Sequence, residues 1–210
     1  MRAVVQALIT GVILVAGADV VSAACQPHSY SKAYLRPLPT SGIDQALFSR
    51  ALMIEANFVR CQHRRRPLKL KRSLTDVSAA HSRWMARARN LSHASTVPGK
   101  RRLFGRALAS RLPFRRASEN LVALSHYRFG PEKFRILNAS ACRFAYHDGR
   151  AVPRHTYASL ARDSVAMWMN SPGHRRNLLA RGARLTGSGV GFDPHAPYCG
   201  TFYITQEYLG

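Results

Sequence analysis

The stretch "MWMNSPGHRRNLL" (residues 167–179) joins two helical patterns through a sharp corner. Asn170 or Ser171 suits the N-cap of a new helix, and Pro172 suits its first position, where the missing N–H costs no hydrogen bond. This predicts that His174 lies in the first turn of a short helix, where the positive end of the helix dipole disfavours the imidazolium form. A metal ligand or a polarising hydrogen-bond donor needs such a neutral imidazole, although a histidine that only decorates a turn is the commoner case.

The N-terminus has the pattern of an export signal. Arg2 precedes a mostly apolar stretch over residues 3–18, and the small residues over 21–24 satisfy the cleavage rule. We therefore expect residues 1–24 to be a secretory signal peptide, with no transmembrane span after cleavage and a secreted or periplasmic protein. Lipid attachment at Cys25 is the lesser alternative, because Ser22 stands where a lipidation signal usually has leucine.

The charge of the chain is strongly positive, at +22, and much of it lies in the runs 60–72 and 99–116. Such a surface attracts polyanions, and export makes an anionic envelope polymer or lipid head group the expected partner. We expect no specific nucleic acid partner, because neither run interleaves aromatic residues that could stack on bases. A basic surface that is merely solvated is an equally weighted alternative.

Four cysteines remain after the signal peptide, at positions 25, 61, 142 and 199. An even number in an exported chain favours two disulfides. The sequence leaves all three pairings open, and without a Cys-x-x-Cys pair it does not favour a cysteine zinc site.

The remaining pattern indicates an α+β fold. Residues 25–41 read as an extended lead-in, helices are predicted over 43–60, from 73 or 75 to 88 and over 156–169, and a β-hairpin is predicted over 184–208. Ser41 is the expected start signal of the first helix, and His81 lies on the apolar stripe of the second, which predicts a buried, hydrogen-bonded histidine. We expect loop with a short helical turn over 96–116 and irregular structure over 126–154.

Five motifs follow one another in a specific order: "NLSH" ending at His93, "SENL" with Glu119, "SPGHRRNLL" with His174, and then "GSGVGF" and "TFYITQEY". Together they resemble the CAP superfamily in its bacterial SCP-domain form, over roughly residues 42–208. The resemblance implies an α-β-α sandwich around a central antiparallel sheet, with a cleft lined by two histidines and acidic residues. It places the CAP/SCP domain at 42–210, with 126–154 as a possible insertion, and we expect a monomer.

Carried over to this chain, the resemblance makes His93, His174 and Glu119 the cleft residues. Two imidazoles and a carboxylate match a first shell for zinc, copper or another divalent metal, and the same three residues are the candidates for catalysis. The chain departs from the family where a second glutamate usually follows the helix tryptophan, and Asp163 is at most a loose substitute. We expect Gln206 and Tyr208 to pack in the sheet and cleft floor.

The glycines of the "GSG" sequence at 187–189 do not fit the nucleophile elbow of a serine hydrolase, and we interpret them as strand-edge glycines. Three functions stay open at this point. The first is a binding module with a metal-holding cleft and a basic surface for envelope anions. The second is a metal-dependent hydrolase of peptide or cell-wall bonds, and the third is lipid or sterol binding, so the sequence does not decide whether the chain is an enzyme.

Overall fold

The three predicted helices and the closing hairpin occur in the predicted order in a computed structural model that describes Cys25 and residues 27–210. The predicted signal peptide over 1–24 lies outside these residues. The helices are α1 (Lys32–Leu35), α2 (Gln45–Gln62), α3 (Arg72–Ala88), α4 (Leu103–Ala109), α5 (Tyr157–Asn170) and α6 (Pro172–Leu178). The strands are β1 (Lys69–Leu70), β2 (Ala117–Ser125), β3 (Phe134–Asn138), β4 (Arg143–Tyr146), β5 (Leu185–Asp193) and β6 (Thr201–Leu209). Strands β2, β3 and β4, which lie between the helices α4 and α5, were not predicted.

The helix boundaries follow local capping chemistry. Asp44, and not Ser41 as predicted, caps α2, because its carboxylate accepts a hydrogen bond from the Leu47 N–H at 2.9 Å. Thr156 caps α5 in a reciprocal capping box with Ser159. The short helix in the 96–116 segment is α4, in agreement with the predicted helical turn.

A four-stranded sheet in the order β1-β5-β6-β2 forms the middle of the fold. The long strands β5 and β6 form the predicted hairpin, and β2 pairs antiparallel with β6 along its whole length. Only the two-residue strand β1 runs parallel to its neighbour β5.

Helices cover both faces of this sheet. On one face, α2 and α5 bury a large apolar core against β5, β6 and β2, and Trp168 lies at its centre with an indole N–H that donates to the Leu121 carbonyl. On the other face, α3 and α4 pack against the sheet in two smaller apolar clusters. This is the predicted α+β architecture, an α-β-α sandwich with a central, mostly antiparallel sheet.

The glycines of β5 serve helix packing and are not at a strand edge, so that interpretation was wrong. Strand β5 lies inside the sheet, between β1 and β6. A Cβ at Gly187, Gly189 or Gly191 would overlap the backbone of α3, so the missing side chains let the helix lie directly on the strand.

The segment 126–154 contains more order than the sequence predicts. Strands β3 and β4 form a separate two-stranded sheet, and an aromatic cluster that includes Phe144 and Tyr146 packs beneath it. The disulfide Cys142–Cys199 joins this hairpin to the turn between β5 and β6. This segment is thus ordered by aromatic contacts and a disulfide. It lacks the apolar periodicity from which helices and strands were predicted elsewhere in the chain.

The second disulfide, Cys25–Cys61, attaches the lead-in to the end of α2. The lead-in is not wholly extended, because it includes the one-turn helix α1. None of the helices in the described part of the chain is both long and apolar enough to span a bilayer. The domain boundary at residue 42 and the status of 126–154 as an insertion stay predictions.

Candidate functional site

His93 and Glu119 meet at the end of the loop that follows α3. His93 Nδ1 lies 2.8 Å from Glu119 Oε1, and the side chains are 61% and 1% exposed. A carboxylate only accepts hydrogen bonds, so this contact assigns the imidazole proton to Nδ1 and leaves the lone pair on Nε2. The buried carboxylate thus fixes the orientation of an accessible histidine.

Arg106 holds the other oxygen of the same carboxylate, and sequence reasoning missed it. Its Nη2 lies 2.6 Å from Glu119 Oε2, and its Nε lies 3.2 Å from Glu207 Oε1. The guanidinium also donates to the carbonyls of His93 and Lys100. Arg106 therefore ties together α4, strands β2 and β6, and the loop that carries His93.

Glu207 is the fourth ionisable residue of this network. It is fully buried on β6, and its Oε2 has no hydrogen-bond partner among the described residues. Burial, with a smaller contribution from the charge of Glu119, raises the pKa of Glu207 to about 8. One guanidinium thus compensates Glu119 while Glu207 stays protonated at neutral pH.

His174 lies in the first turn of α6, as the sequence predicted. Ser171 is the N-cap of this helix, and Pro172 is its first residue. Desolvation by burial lowers the pKa of His174, and its repulsion with His93, were both rings protonated, lowers it further. Burial thus favours the neutral imidazole, the form that the sequence interpretation expected.

Two asparagines dock α6 onto β2 and so set the position of His174. Asn120 Nδ2 donates to the His174 carbonyl at 3.0 Å, and Asn177 Nδ2 donates to the Glu119 carbonyl at 3.1 Å. The two side chains also bind each other at 3.0 Å. These contacts explain why the "SENL" and "SPGHRRNLL" motifs occur together.

The structure brings His93, Glu119 and His174 to one region but does not arrange them as three ligands of one ion. Among residues 25 and 27–210, no group of three or more His, Cys, Asp or Glu side chains has the geometry to hold a metal. Both oxygens of Glu119 are already bound, to His93 and to Arg106. Glu119 therefore has no oxygen free for a metal, and it contacts His93 from the buried side.

Three other residues that the sequence analysis singled out, Asp163, Gln206 and Tyr208, do not contact His93 or His174 through their side chains in any hydrogen bond or ion pair of the described residues. Asp163 forms a two-point ion pair with Arg128, at 2.7 and 3.1 Å, and does not supply the missing acidic residue. Gln206 and Tyr208 are buried and hydrogen-bonded to each other at 2.6 Å, as the packing interpretation predicted.

His81 is a buried core residue, as predicted. Its Nε2 lies 3.0 Å from the Ser92 carbonyl, and its ring stacks on Trp84. Burial, reinforced by the charge of Arg106, lowers the pKa of His81 to about 4, so the ring is neutral near pH 7. It supports the loop that carries His93 from below.

The 99–116 run forms an exposed basic surface next to the network. Its exposed arginines, which we call the α4 arginines, are Arg101, Arg102, Arg111, Arg115 and Arg116. None of them forms an ion pair with a carboxylate of the described chain. Phe104 and Leu108 lie among them with 62% and 56% of their surface exposed, so the surface combines cationic and apolar groups.

Comparison with known proteins gives one family. The sequence matches the profile of the cysteine-rich secretory protein family, CAP, over residues 55–208. No curated protein matches it significantly.

Several solved structures are similar to this chain, and three of them are bacterial surface, extracellular or secretory proteins. An extracellular protein with an SCP domain from Bacillus anthracis is 22% identical, with a TM-score of 0.47 over 77% of this chain and 40% of that chain. A cysteine-rich secretory protein from Staphylococcus aureus is 16% identical, with a TM-score of 0.47 over 81% of this chain and 40% of that chain. An outer surface protein from Borrelia burgdorferi is 14% identical, with a TM-score of 0.48 over 83% and 98%. This chain thus spans about 40% of the length of the first two proteins.

Proposed function

This chain belongs to the cysteine-rich secretory protein (CAP) family, and from that premise we propose that it is an exported binding module for anionic components of the cell envelope. The observation that carries the proposal is the unpaired charge of the α4 arginines around the exposed side chains of Phe104 and Leu108. Arginines without carboxylate partners attract anionic head groups, and neighbouring apolar side chains gain free energy when a lipid surface removes them from water.

The test is cosedimentation with vesicles of phosphatidylglycerol in phosphatidylcholine. Arg115→Gln/Arg116→Gln removes two exposed charges from the α4 arginines, and each is worth about 1 kcal/mol near an anionic membrane, so binding should weaken about thirtyfold. Arg135→Gln/Arg143→Gln removes two exposed, unpaired charges from the β3–β4 hairpin and should weaken binding much less.

Two further results belong to this test. Wild-type binding should fall with added salt, and His93→Ala should leave it nearly unchanged. Equal binding to pure phosphatidylcholine vesicles, or equal loss in the two arginine variants, would overturn the proposal.

We further propose that the cleft holds one divalent metal through His93 and His174, and that Glu119 orients His93 and is not itself a ligand. The support is the 2.8 Å contact of His93 Nδ1 with Glu119, which directs metal binding to Nε2, and the neutral state of His174. A bound zinc ion would supply Lewis acidity, which the hydrolase alternative requires.

A binding role is favoured over hydrolysis because the nearby carboxylates are engaged. Glu119 and Glu207 both contact Arg106, so neither is placed as a general base.

Calorimetric titration with zinc and copper tests the proposed metal site. We expect one ion per chain, no binding by His93→Ala/His174→Ala, and roughly 10–100-fold weaker binding by Glu119→Gln. No difference between wild type and the double variant would remove the metal from this cleft.

A further inference from the structure

A second group of basic residues lies where two chain segments form a depression of about 460 Å³. Every side chain that lines it is basic. His63, Arg64, Arg65 and Arg66 come from the end of α2 and the following loop, and Arg181 and Arg184 come from the loop between α6 and β5. We call this site the arginine pocket.

A buried arginine fixes the two segments relative to each other. Arg60 has no exposed surface, and its Nη2 and Nε donate to the Arg66 carbonyl at 2.7 and 2.9 Å. The same guanidinium donates to the carbonyl of Leu178 at 2.6 Å and to those of Ala180 and Ala183 at 3.2 and 3.4 Å. The walls of the arginine pocket are therefore positioned before any ligand arrives.

The charge in this region is not compensated by the protein. None of the five lining arginines forms an ion pair within the described residues, and Arg60 is likewise paired only with carbonyl oxygens. The Nε of Arg65 is buried and has no hydrogen-bond partner there. Like charges that are held together, with an unused buried donor among them, favour a bound anion.

We infer that the arginine pocket is a discrete binding site for a phosphate-bearing anion with at least two negative charges. Planar guanidinium groups match phosphate oxygens with paired hydrogen bonds, and several groups around one depression can contact two phosphoryl groups together. The inference deepens the proposed anion binding and rests on it, but it assigns a stoichiometric site with lining residues of its own, none of which is an α4 arginine. Free pyrophosphate and phosphorylated lipid head groups share this chemistry.

The experiment is calorimetric titration of the full chain with sodium pyrophosphate. The pocket variant, Arg66→Gln/Arg181→Gln, removes one exposed charge from each wall, and Arg135→Gln/Arg143→Gln is the control with the same net charge. We expect one pyrophosphate per wild-type chain, at least tenfold weaker binding by the pocket variant, and a change below twofold in the control. Equal weakening in both variants, or no saturable binding by the wild type, would overturn the inference.

The source of the phosphate is decided by testing the pocket variant on vesicles that contain cardiolipin, whose head group carries two phosphates. Weaker binding to both pyrophosphate and vesicles supports a lipid head group as ligand, and weaker binding to pyrophosphate alone supports a soluble phosphate. If the pocket variant behaves as wild type in both assays while Arg115→Gln/Arg116→Gln loses vesicle binding, the arginine pocket is refuted and the proposed function stands.

Discussion

At the scale of single residues, the site depends on one buried cation that contacts two buried carboxyl groups, of which Glu119 is ionised and Glu207 is protonated. Arg106 contacts Glu119 at 2.6 Å and Glu207 at 3.2 Å, and all three side chains are almost completely removed from solvent. Removing one partner of such a network leaves uncompensated charge in a medium of low dielectric constant. The network therefore links the orientation of His93 to the stability of the fold.

Arg106→Met should lower the free energy of unfolding by about 3–5 kcal/mol, because it leaves the carboxylate of Glu119 buried without its cationic partner. Urea unfolding at pH 7 measures this loss. Arg106→Lys, which keeps the charge but not the two-sided contact, should lose less. A loss below about 1 kcal/mol in Arg106→Met would show that water reaches the carboxylate and that the network is not buried as described.

The pH dependence of stability tests the protonation of Glu207. Its pKa is raised to about 8 in the folded protein, mainly by burial, and is near 4.3 in an unfolded chain. Between these values the folded state holds a proton that the unfolded state has released. Its contribution to stability is therefore complete below about pH 4.3 and is lost as the pH rises towards 8.

Wild-type protein should consequently lose stability relative to Glu207→Gln by up to about 1.4 kcal/mol for each pH unit between pH 5 and 8. Urea unfolding of both proteins across this range measures the difference. Parallel pH profiles would mean that Glu207 is ionised in the folded state.

At the scale of secondary-structure elements, the closest contact is between α3 and β5. Ser78 and Ser82 of α3 donate hydrogen bonds to the carbonyls of Gly187 and Gly189 at 3.1 and 2.9 Å. Helix and strand backbones approach closely because the facing positions of β5 have no side chains. The position of α3 on the sheet therefore depends on the missing side chains of these glycines as well as on apolar contacts.

Gly189→Ala should therefore destabilise the protein by about 3 kcal/mol, because the added methyl group overlaps the backbone at Ala79 and the helix must shift. Gly182→Ala is the matched control, since a Cβ there meets open space, and its effect should stay within about 0.5 kcal/mol. Thermal unfolding of the two variants gives the comparison. Similar melting temperatures would mean that α3 adjusts without loss.

At the scale of the whole molecule, the dominant feature is the net charge of +22. The described part of the chain contains few ion pairs, and most of its arginines face solvent without a partner. The compact state therefore carries considerable repulsion between its own charges.

Salt should accordingly stabilise this protein. Raising the ionic strength from about 0.01 to 0.1 M shortens the Debye length from about 30 to 10 Å and screens the repulsion. The melting temperature should rise by roughly 2–4 °C for each kcal/mol that is relieved, as calorimetry would record. A variant that lacks the charges of Arg115, Arg116, Arg135 and Arg143 should show a smaller rise. A melting temperature that falls with salt would mean that surface ion pairs outweigh the repulsion.

Sequence patterns predicted the α+β class because its main elements are strongly periodic, and the family resemblance implied the sandwich. The apolar stripes of α3 and α5 and the alternation along β6 each depend on neighbours close in sequence, and all three are where the patterns placed them. The hairpin in 126–154 lacks such a pattern, because its order comes from aromatic side chains and the disulfide Cys142–Cys199.

The candidate site was predictable only in part, for a similar reason. Motifs identified His93, Glu119 and His174, but Arg106 and Glu207 are 101 positions apart and no local pattern joins them. The one available signal was Glu207 itself, a carboxylate within the alternating sequence of a strand. Once helices cover both faces of the sheet, such a residue must find a cation or keep its proton.

The three glycines of β5 have a consequence for the position of His93. Two serine hydrogen bonds and the close approach of the α3 backbone to these glycines hold the helix in place along β5. The end of α3 at Ala88 is therefore fixed relative to the sheet. His93 follows five residues later, so its position depends on three residues of β5 that carry no side chain.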